Sequence, residues 1–412
     1  MDGNFNFLPL APLSLGSAAL FGGLLLLGLL GGELAQRLKL PRLLGWIIAG
    51  LLLGQAGNWL PAGWSLEPLL GETRLFFDVA VGFILFELGR RLDLSWLRRD
   101  RSLLAAALLE SGLGFAAMAG VLLLFGFSPL EASVAGAIGL STSPAVVLLV
   151  VRECRAEGQV SERCLALVAI NTLLAFLVAT TLLSVVHAEN RASWLTALLH
   201  PLYLLLGSVL LGAVAAWLVL LAARILGKDA QARFSHFILL AGMLLAAVGL
   251  AHTLRLSVFL ALLVFGLACR HWDKHHALLS VDLGGAAHLF YIVLFVLTGA
   301  SLPLEAVLIA GLPALAYILG RGLGKAAGVM LTAPFSRISW RQHAWLALAL
   351  LPMSGVAIAL VHDVAGLYPQ FGERLGNLIL AAVVILELLG PLAVQFALRQ
   401  AGESRPEGAH HA

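Results

Sequence analysis

Arg321 and Lys325 stand four residues apart in the apolar run ILGRGLGKAAGVML (318–331). On a helix that spacing puts both on one face. Leaving one member of a buried ion pair alone costs ~3–5 kcal/mol, so each needs a partner. The acids within apolar stretches are Asp78, Glu87, Glu110 and Glu387. An ionised carboxylate at mid-membrane costs ~2.5–3.5 kcal/mol on insertion scales, which marks each as paired or functional. Glu110 and Glu387 lie nearest mid-depth and are the expected partners of Arg321 or Lys325. Asp78 and Glu87 share one segment, and either can line a cleft. A buried lysine can release its proton and an arginine effectively cannot, so Lys325 is the residue able to trade a proton for an incoming cation. Asn171 and Thr172, in ALVAINTLLAF (166–176), offer an amide oxygen and a hydroxyl. Such neutral oxygens can ligate a desolvated cation but do not titrate near neutral pH. Two further stretches, Ser141-Thr142-Ser143-Pro144 and Pro352-Met353-Ser354-Gly355, interrupt apolar runs. A helix broken there frees backbone carbonyls that can hold a cation.

The elements that position these residues are membrane helices. The 412 residues are 60% hydrophobic and only 12% charged. A soluble domain carries about 25% charged residues, so most of this chain must face lipid or other apolar helices. At ~20 residues per crossing, about thirteen segments qualify. They are 14–37, 41–55, 73–92, 101–126, 131–152, 163–187, 198–226, 234–251, 256–271, 286–301, 305–333, 341–362 and 376–399. The second, ninth and tenth are short. With that count, about twenty Lys and Arg residues fall on one side and about four on the other, which makes the first side cytoplasmic. The N-terminus is then outside and the C-terminus inside. The first residues lack a basic n-region and read as the start of a retained helix. The last, about 401–412, read as a disordered tail.

The two halves resemble each other in order and at a common offset of roughly 210 residues. KLPRLLGWIIAG (39–50) lines up with RLSVFLALLVFG (255–266), SGLGFAA (111–117) with RGLGKAA (321–327), and TSPAVV (142–147) with LPMSGVAI (351–358). An odd number of spans separates the copies, so they are inverted. Repeat one covers about 14–187 and repeat two about 234–399, with 198–226 as a linking helix. Glu387 falls opposite the Asn171-Thr172 region. Inverted repeats with paired interrupted helices belong to secondary transporters, whose site lies where the breaks meet.

Several motifs now carry a resemblance. RLKLPRLLGWIIAGLLLGQAG (37–57), LSTSPAVVLLVVRECRAEGQVSERCLALVAINTLLAFL (140–177), GRGLGKAAGV (320–329) and LLPMSGVAIAL (350–360) resemble, in order, segments of the cation/proton antiporter superfamily, the Na+/H+ and K+/H+ exchanger-like proteins. The resemblance implies an all-α polytopic membrane fold of about 13 transmembrane helices. A six-helix core, with two crossing broken helices, would move like an elevator against a panel that forms a homodimer. By the family pattern the proton-exchanging aspartate falls at Thr172, where this chain has none. At Ser143, too, one branch of the family has an aspartate.

The expectation is a secondary-active antiporter of Na+ or K+ against H+ in a bacterial plasma (inner) membrane. Asn171, Thr172, Thr142, Ser143, Glu110, Arg321, Lys325, Glu387 and Asp78 would bind or couple the ions. Pro144, Pro352, Ser354 and Gly355 would set the breaks. The competing readings are a uniporter or anion carrier on the same fold, and a non-transporting sensor homologue. Neither an enzyme's catalytic residues nor a cofactor site, resident metal or nucleic-acid partner is expected. Cys154, Cys164 and Cys269 read as apolar filler. Gly112, Gly114, Gly322 and Gly324 read as packing residues. RHWDKHH (270–276) reads as a solvated turn and His362-Asp363 as an external loop feature.

Overall fold

The computed structural model describes residues 17–57, 74–190, 194–226, 230–273, 284–353, 355–367 and 369–404. Among them are helices and turns and no strand. The helices are α1 (Ser17–Arg37), α2 (Arg42–Gly57), α3 (Arg74–Arg91), α4 (Leu94–Arg99), α5 (Arg101–Leu124), α6 (Pro129–Gly139), α7 (Pro144–Glu153) and α8 (Gln159–Asn190). They continue with α9 (Trp194–Leu226), α10 (Ala230–Thr253), α11 (Val258–Trp272), α12 (Gly284–Ala300), α13 (Leu304–Leu331), α14 (Trp340–Ala349), α15 (Gly355–Leu367) and α16 (Pro369–Gln400). Each of the thirteen segments read from sequence falls on one of these helices or on a broken pair, α6–α7 or α14–α15. Seven spans among the described residues, α6–α7 counted as one, are long and apolar enough to cross a membrane, and three more apolar helices are shorter.

The breaks have local causes. Ser128 caps α6 through a capping box with Glu131, and Ser339 caps α14 through one with Gln342. Each box satisfies amide groups that the first turn leaves free. Pro144 stands at the first turn of α7, where its missing N–H is no loss. The chain between Gly139 and Pro144 therefore leaves the helix and re-enters it, with the Ser143 side chain capping the new start. Nearly all of α6–α7 is buried within the protein, whereas two thirds of α9 is not. Irregular backbone at membrane depth is tolerated only under such cover. In α13, Gly311 has φ 49° just ahead of Pro313, and the kink leaves the stretch carrying Tyr317, Arg321 and Lys325 regular.

The chain divides into two compact units. One comprises residues up to 80 together with 284–302; the other comprises the rest. In the first unit α2 packs on α1 and α12 through small residues. A Cβ on Gly45 would lie 2.0 Å from the Gly31 carbonyl oxygen, and one on Gly50 2.0 Å from that of Val296. In the second unit α5 and α13 are pressed together along Gly324 and Gly328. A Cβ on Gly328 would lie 2.2 Å from the Glu110 Cα, and one on Gly324 2.6 Å from the Leu113 oxygen. Without hydrophobic drive between helices in lipid, such close backbone approach is what holds them together. Gly112 and Gly114 divide: Gly112 faces open space, while Gly114 abuts the Lys325 side chain. Leu104, Leu108, Leu319 and Leu323 cover the outer faces of α5 and α13 and stay exposed, as a lipid-facing surface requires.

Two expectations are corrected. Glu87 is buried and paired with Arg90, Arg91 and Arg152 at the arginine-rich end of α3, so it anchors helices instead of lining a cleft. Residues 401–404 are not a loose tail. The Glu403 carboxylate accepts from the Val160 and Ser161 amides, both at 2.8 Å, and closes the N-terminus of α8. A carboxylate there complements the helix dipole and its free amides. Residues 405–412 lie outside the described residues.

The tight α5–α13 contact gives a direct test. Gly328→Val forces the helices apart at Glu110 and is expected to cost ~1–3 kcal/mol, the range for overpacking. Gly112→Ala, which meets nothing, is expected to be neutral or stabilising by up to ~1 kcal/mol. Melting temperatures of the two purified variants in detergent check the contrast.

Candidate functional site

The two breaks lie against one another. The Ser143 amide donates to the Pro352 carbonyl at 3.0 Å, and the Thr142 hydroxyl reaches the Leu350 carbonyl at 3.4 Å. Breaking two helices releases carbonyl oxygens that no intrahelical amide can reach, and burial denies them water. Arg321 takes up this demand. Its Nε donates to Gly139 O at 2.9 Å and its two terminal nitrogens to Ser141 O and Leu351 O, both at 2.7 Å. Longer contacts reach Leu350 O and Pro352 O at 3.4 Å. The expected carboxylate partner of Arg321 is therefore replaced by main-chain oxygens of both breaks. One turn earlier, the Tyr317 hydroxyl donates to Ala135 O at 2.9 Å and ties α13 to α6.

One turn later, Lys325 Nζ is 2.8 Å from Glu110 Oε2, 3.0 Å from Leu140 O and 3.4 Å from the Thr142 hydroxyl. Three partners match the three N–H groups of an ammonium. Lys325 is 1% exposed and Glu110 fully buried. The close α5–α13 packing is what brings the pair within reach. Glu110 Oε1 has no hydrogen-bond partner among the described residues.

Asn171 joins the same cluster. Its amide nitrogen donates to the Thr142 hydroxyl at 3.2 Å, and its oxygen accepts from Ser111 at 3.3 Å. Thr172 is buried but turned elsewhere: its hydroxyl donates back to Val168 O at 2.9 Å within α8. The Ser143 side chain is the cap of α7 and not an open ligand. Pro144 and Pro352 flank the crossing, and a Cβ on Gly390 of α16 would sit 3.0 Å from Pro352 Cα. Gly355 opens α15, and Ser354 lies outside the described residues.

Glu387, one turn before Gly390, is fully buried, and both its oxygens lack a hydrogen-bond partner among the described residues. An ionised carboxylate is costly at such a position unless it gains a partner. It does not pair with Arg321 or Lys325. Asp78 is half-buried on α3 and belongs to the first compact unit, whereas Glu110, Asn171, Arg321, Lys325 and Glu387 all belong to the second. His362 is exposed, the Asp363 side chain and residues 274–276 lie outside the described set, and the three cysteines are buried and unbridged.

Sequence reasoning missed Ser111 and Tyr317. Tyr317 was legible, since 317, 321 and 325 continue one helix face at intervals of four. Ser111 carried no signal, because its role depends on where α8 places Asn171.

The cluster thus contains one carboxylate, two cations, two hydroxyls, an amide and a ring of carbonyls. It can hold a proton on Lys325, and its neutral oxygens and Glu110 can ligate a small cation once the ammonium is gone. A family model described as sodium/hydrogen exchanger, transmembrane, matches residues 22–400. Two solved structures of a sodium proton antiporter from Methanocaldococcus jannaschii, one of them at pH 8, are similar at TM-score 0.69 and 20% identity. They cover 94% and 95% of this chain, and 99% of their own. At that identity the likeness shows the fold. No curated protein matches the chain.

Glu110→Gln and Lys325→Met each strand one buried charge and are expected to cost ~3–5 kcal/mol. The double variant is expected to melt above the value that adding the two losses gives, because no charge is then left alone. Thermal unfolding of the four proteins in one detergent measures the coupling.

Proposed function

Because the chain belongs to the sodium/hydrogen exchanger family, we propose that it is a secondary-active monovalent cation:proton antiporter of Na+ or K+, with Lys325 as its proton carrier. The observation that carries this reading is the buried Lys325–Glu110 pair at the meeting of two helix breaks. No aspartate stands at position 172 to exchange the ions.

The exchange follows from charge. Lys325 as an ammonium neutralises Glu110. When Lys325 gives up one proton and swings away, Glu110, Leu140 O, Thr142 and Asn171 are left without a cation. A dehydrated monovalent ion entering there restores the same charge. One proton leaves for each cation that binds, and the reverse step expels the cation. Glu387, which meets no hydrogen-bond partner among the described residues, is a second group able to take a proton, on the helix that abuts Pro352. Arg321 stays fixed, since all three of its nitrogens donate to carbonyls. That saturation argues against an anion carrier, for which Arg321 would have to be free.

The thirteen-crossing count and the inverted repeats are part of this proposal. Support comes from the matched capping boxes of α6 and α14 and from the two breaks that meet at Arg321. So are elevator-type alternating access, homodimerisation through the panel, and a bacterial plasma membrane with the N-terminus outside. The arginine-rich side is then the cytoplasmic one.

Reconstitution in liposomes with an internal pH dye tests the reading. Adding Na+ or K+ to wild type is expected to move protons. Lys325→Met is expected to abolish that movement, and Glu387→Gln to reduce it while the protein stays folded. Cation tracer flux without proton movement would replace antiport by uniport, and intact coupling in Lys325→Met would overturn the assignment. Thr172→Asp adds a second buried carboxylate beside the site and cancels the positive charge that Arg321 leaves in excess. It is expected to lower exchange severalfold; a large gain would mean that the native site is crippled and not rewired.

A further inference from the structure

At the arginine-rich end of the second unit, the turn holding α4, the starts of α5 and α8, and the 3-10 turn Ala333–Phe335 after α13 enclose a cavity of about 830 Å3. Its lining holds Arg99, Arg101, Arg163 and Arg337 against a single acid, Asp100. Asp100 is already committed. It accepts from Arg163, from Ser102, and from the first turn of α5, which it caps. Arg163 is 2% exposed, lies over the Trp96 ring at 5.7 Å, and its Nε has no hydrogen-bond partner among the described residues. Arg99, Arg101 and Arg337 are exposed and make no hydrogen bond or ion pair among the described residues. Basic groups gathered around one hollow give it a positive potential that draws anions in. Planar guanidinium groups favour phosphate, which they can bind in bidentate fashion.

The surroundings say which phosphate. Phe335 is 81% exposed and, with Trp96, puts aromatic rings on the cavity lining, the chemistry of a membrane–water boundary. Leu104 and Leu108 lie one and two turns along α5 from Arg101, and Leu331 lies at the end of α13; all three are exposed. An apolar track therefore leads away from a basic hollow. We propose that this cavity binds the headgroup phosphate of an anionic phospholipid, with its acyl chains lying along Leu104, Leu108 and Leu331. The bound lipid would join the ends of α5, α8 and α13, the helices that carry Glu110, Asn171 and Lys325. The inference does not depend on what the protein transports.

The test uses the delipidated full chain in detergent, with lipid adducts counted by native mass spectrometry and melting temperature followed in parallel. Wild type is expected to bind phosphatidylglycerol at least about tenfold more tightly than phosphatidylcholine, and to melt higher with it. Arg99→Gln/Arg101→Gln/Arg337→Gln is expected to lose on the order of a hundredfold in phosphatidylglycerol affinity while melting like wild type without lipid. A control triple at exposed arginines elsewhere, Arg155→Gln/Arg224→Gln/Arg270→Gln, is expected to change affinity by less than about threefold. Equal losses in the two triples would reduce the effect to diffuse surface charge and overturn the site. Stabilisation by inorganic phosphate equal to that by the lipid would overturn the lipid as its ligand.

Discussion

The second unit depends on one requirement: carbonyl oxygens released inside an apolar bundle must find donors. Helices that stay whole meet it internally, and two helices broken side by side do not. Gly139, Leu140 and Ser141 in one break, and Leu350, Leu351 and Pro352 in the other, are answered by Arg321, Lys325, Thr142 and the Ser143 amide. Two of these four donors, Thr142 and the Ser143 amide, belong to a break, and the other two, Arg321 and Lys325, reach the breaks from one face of α13. That makes α13 the element on which the crossing rests. Its approach to α5 is permitted by Gly324 and Gly328, so the smallest side chains in the bundle decide whether its largest buried cation and its carboxylate are placed correctly.

Much of this was legible in the sequence, and what was not has a common cause. The spans, the two breaks and the basic face of α13 are written in local composition and spacing. The pairing of Glu110 with a base followed from counting charges that must not be left alone. The same counting failed for Arg321, because its partners are backbone carbonyls and these have no letter of their own. It failed again for Glu387, whose oxygens meet neither base nor any other hydrogen-bond partner among the described residues. Thr172 looked like a ligand by position, yet its hydroxyl was spent within its own helix. Glu403 looked like tail because it is polar and near the end, and only the place of α8 beside it shows that it caps a helix. The errors fall where a side chain's role depends on main-chain groups brought near by tertiary packing.

The missing aspartate changes the charge of the site more than its shape. Glu110, Lys325 and Arg321 together carry one excess positive charge, softened by the carbonyl dipoles that converge on Arg321. A cation that simply joined them would raise that excess in a region of low dielectric, where repulsion between like charges is strong. A cation that replaces the Lys325 proton leaves it unchanged. Under the proposed mechanism coupling is built into the electrostatics: in a cluster already one charge positive, entry of an ion and departure of a proton are favourable only together. An additional carboxylate at 172 would cancel the excess and let a cation enter beside a protonated lysine. On this argument the neutral Asn171-Thr172 pair does not weaken exchange. In the proposed exchange it would remove the route by which cation and proton could occupy the site at once, and would move the burden of coupling from an acid to a base.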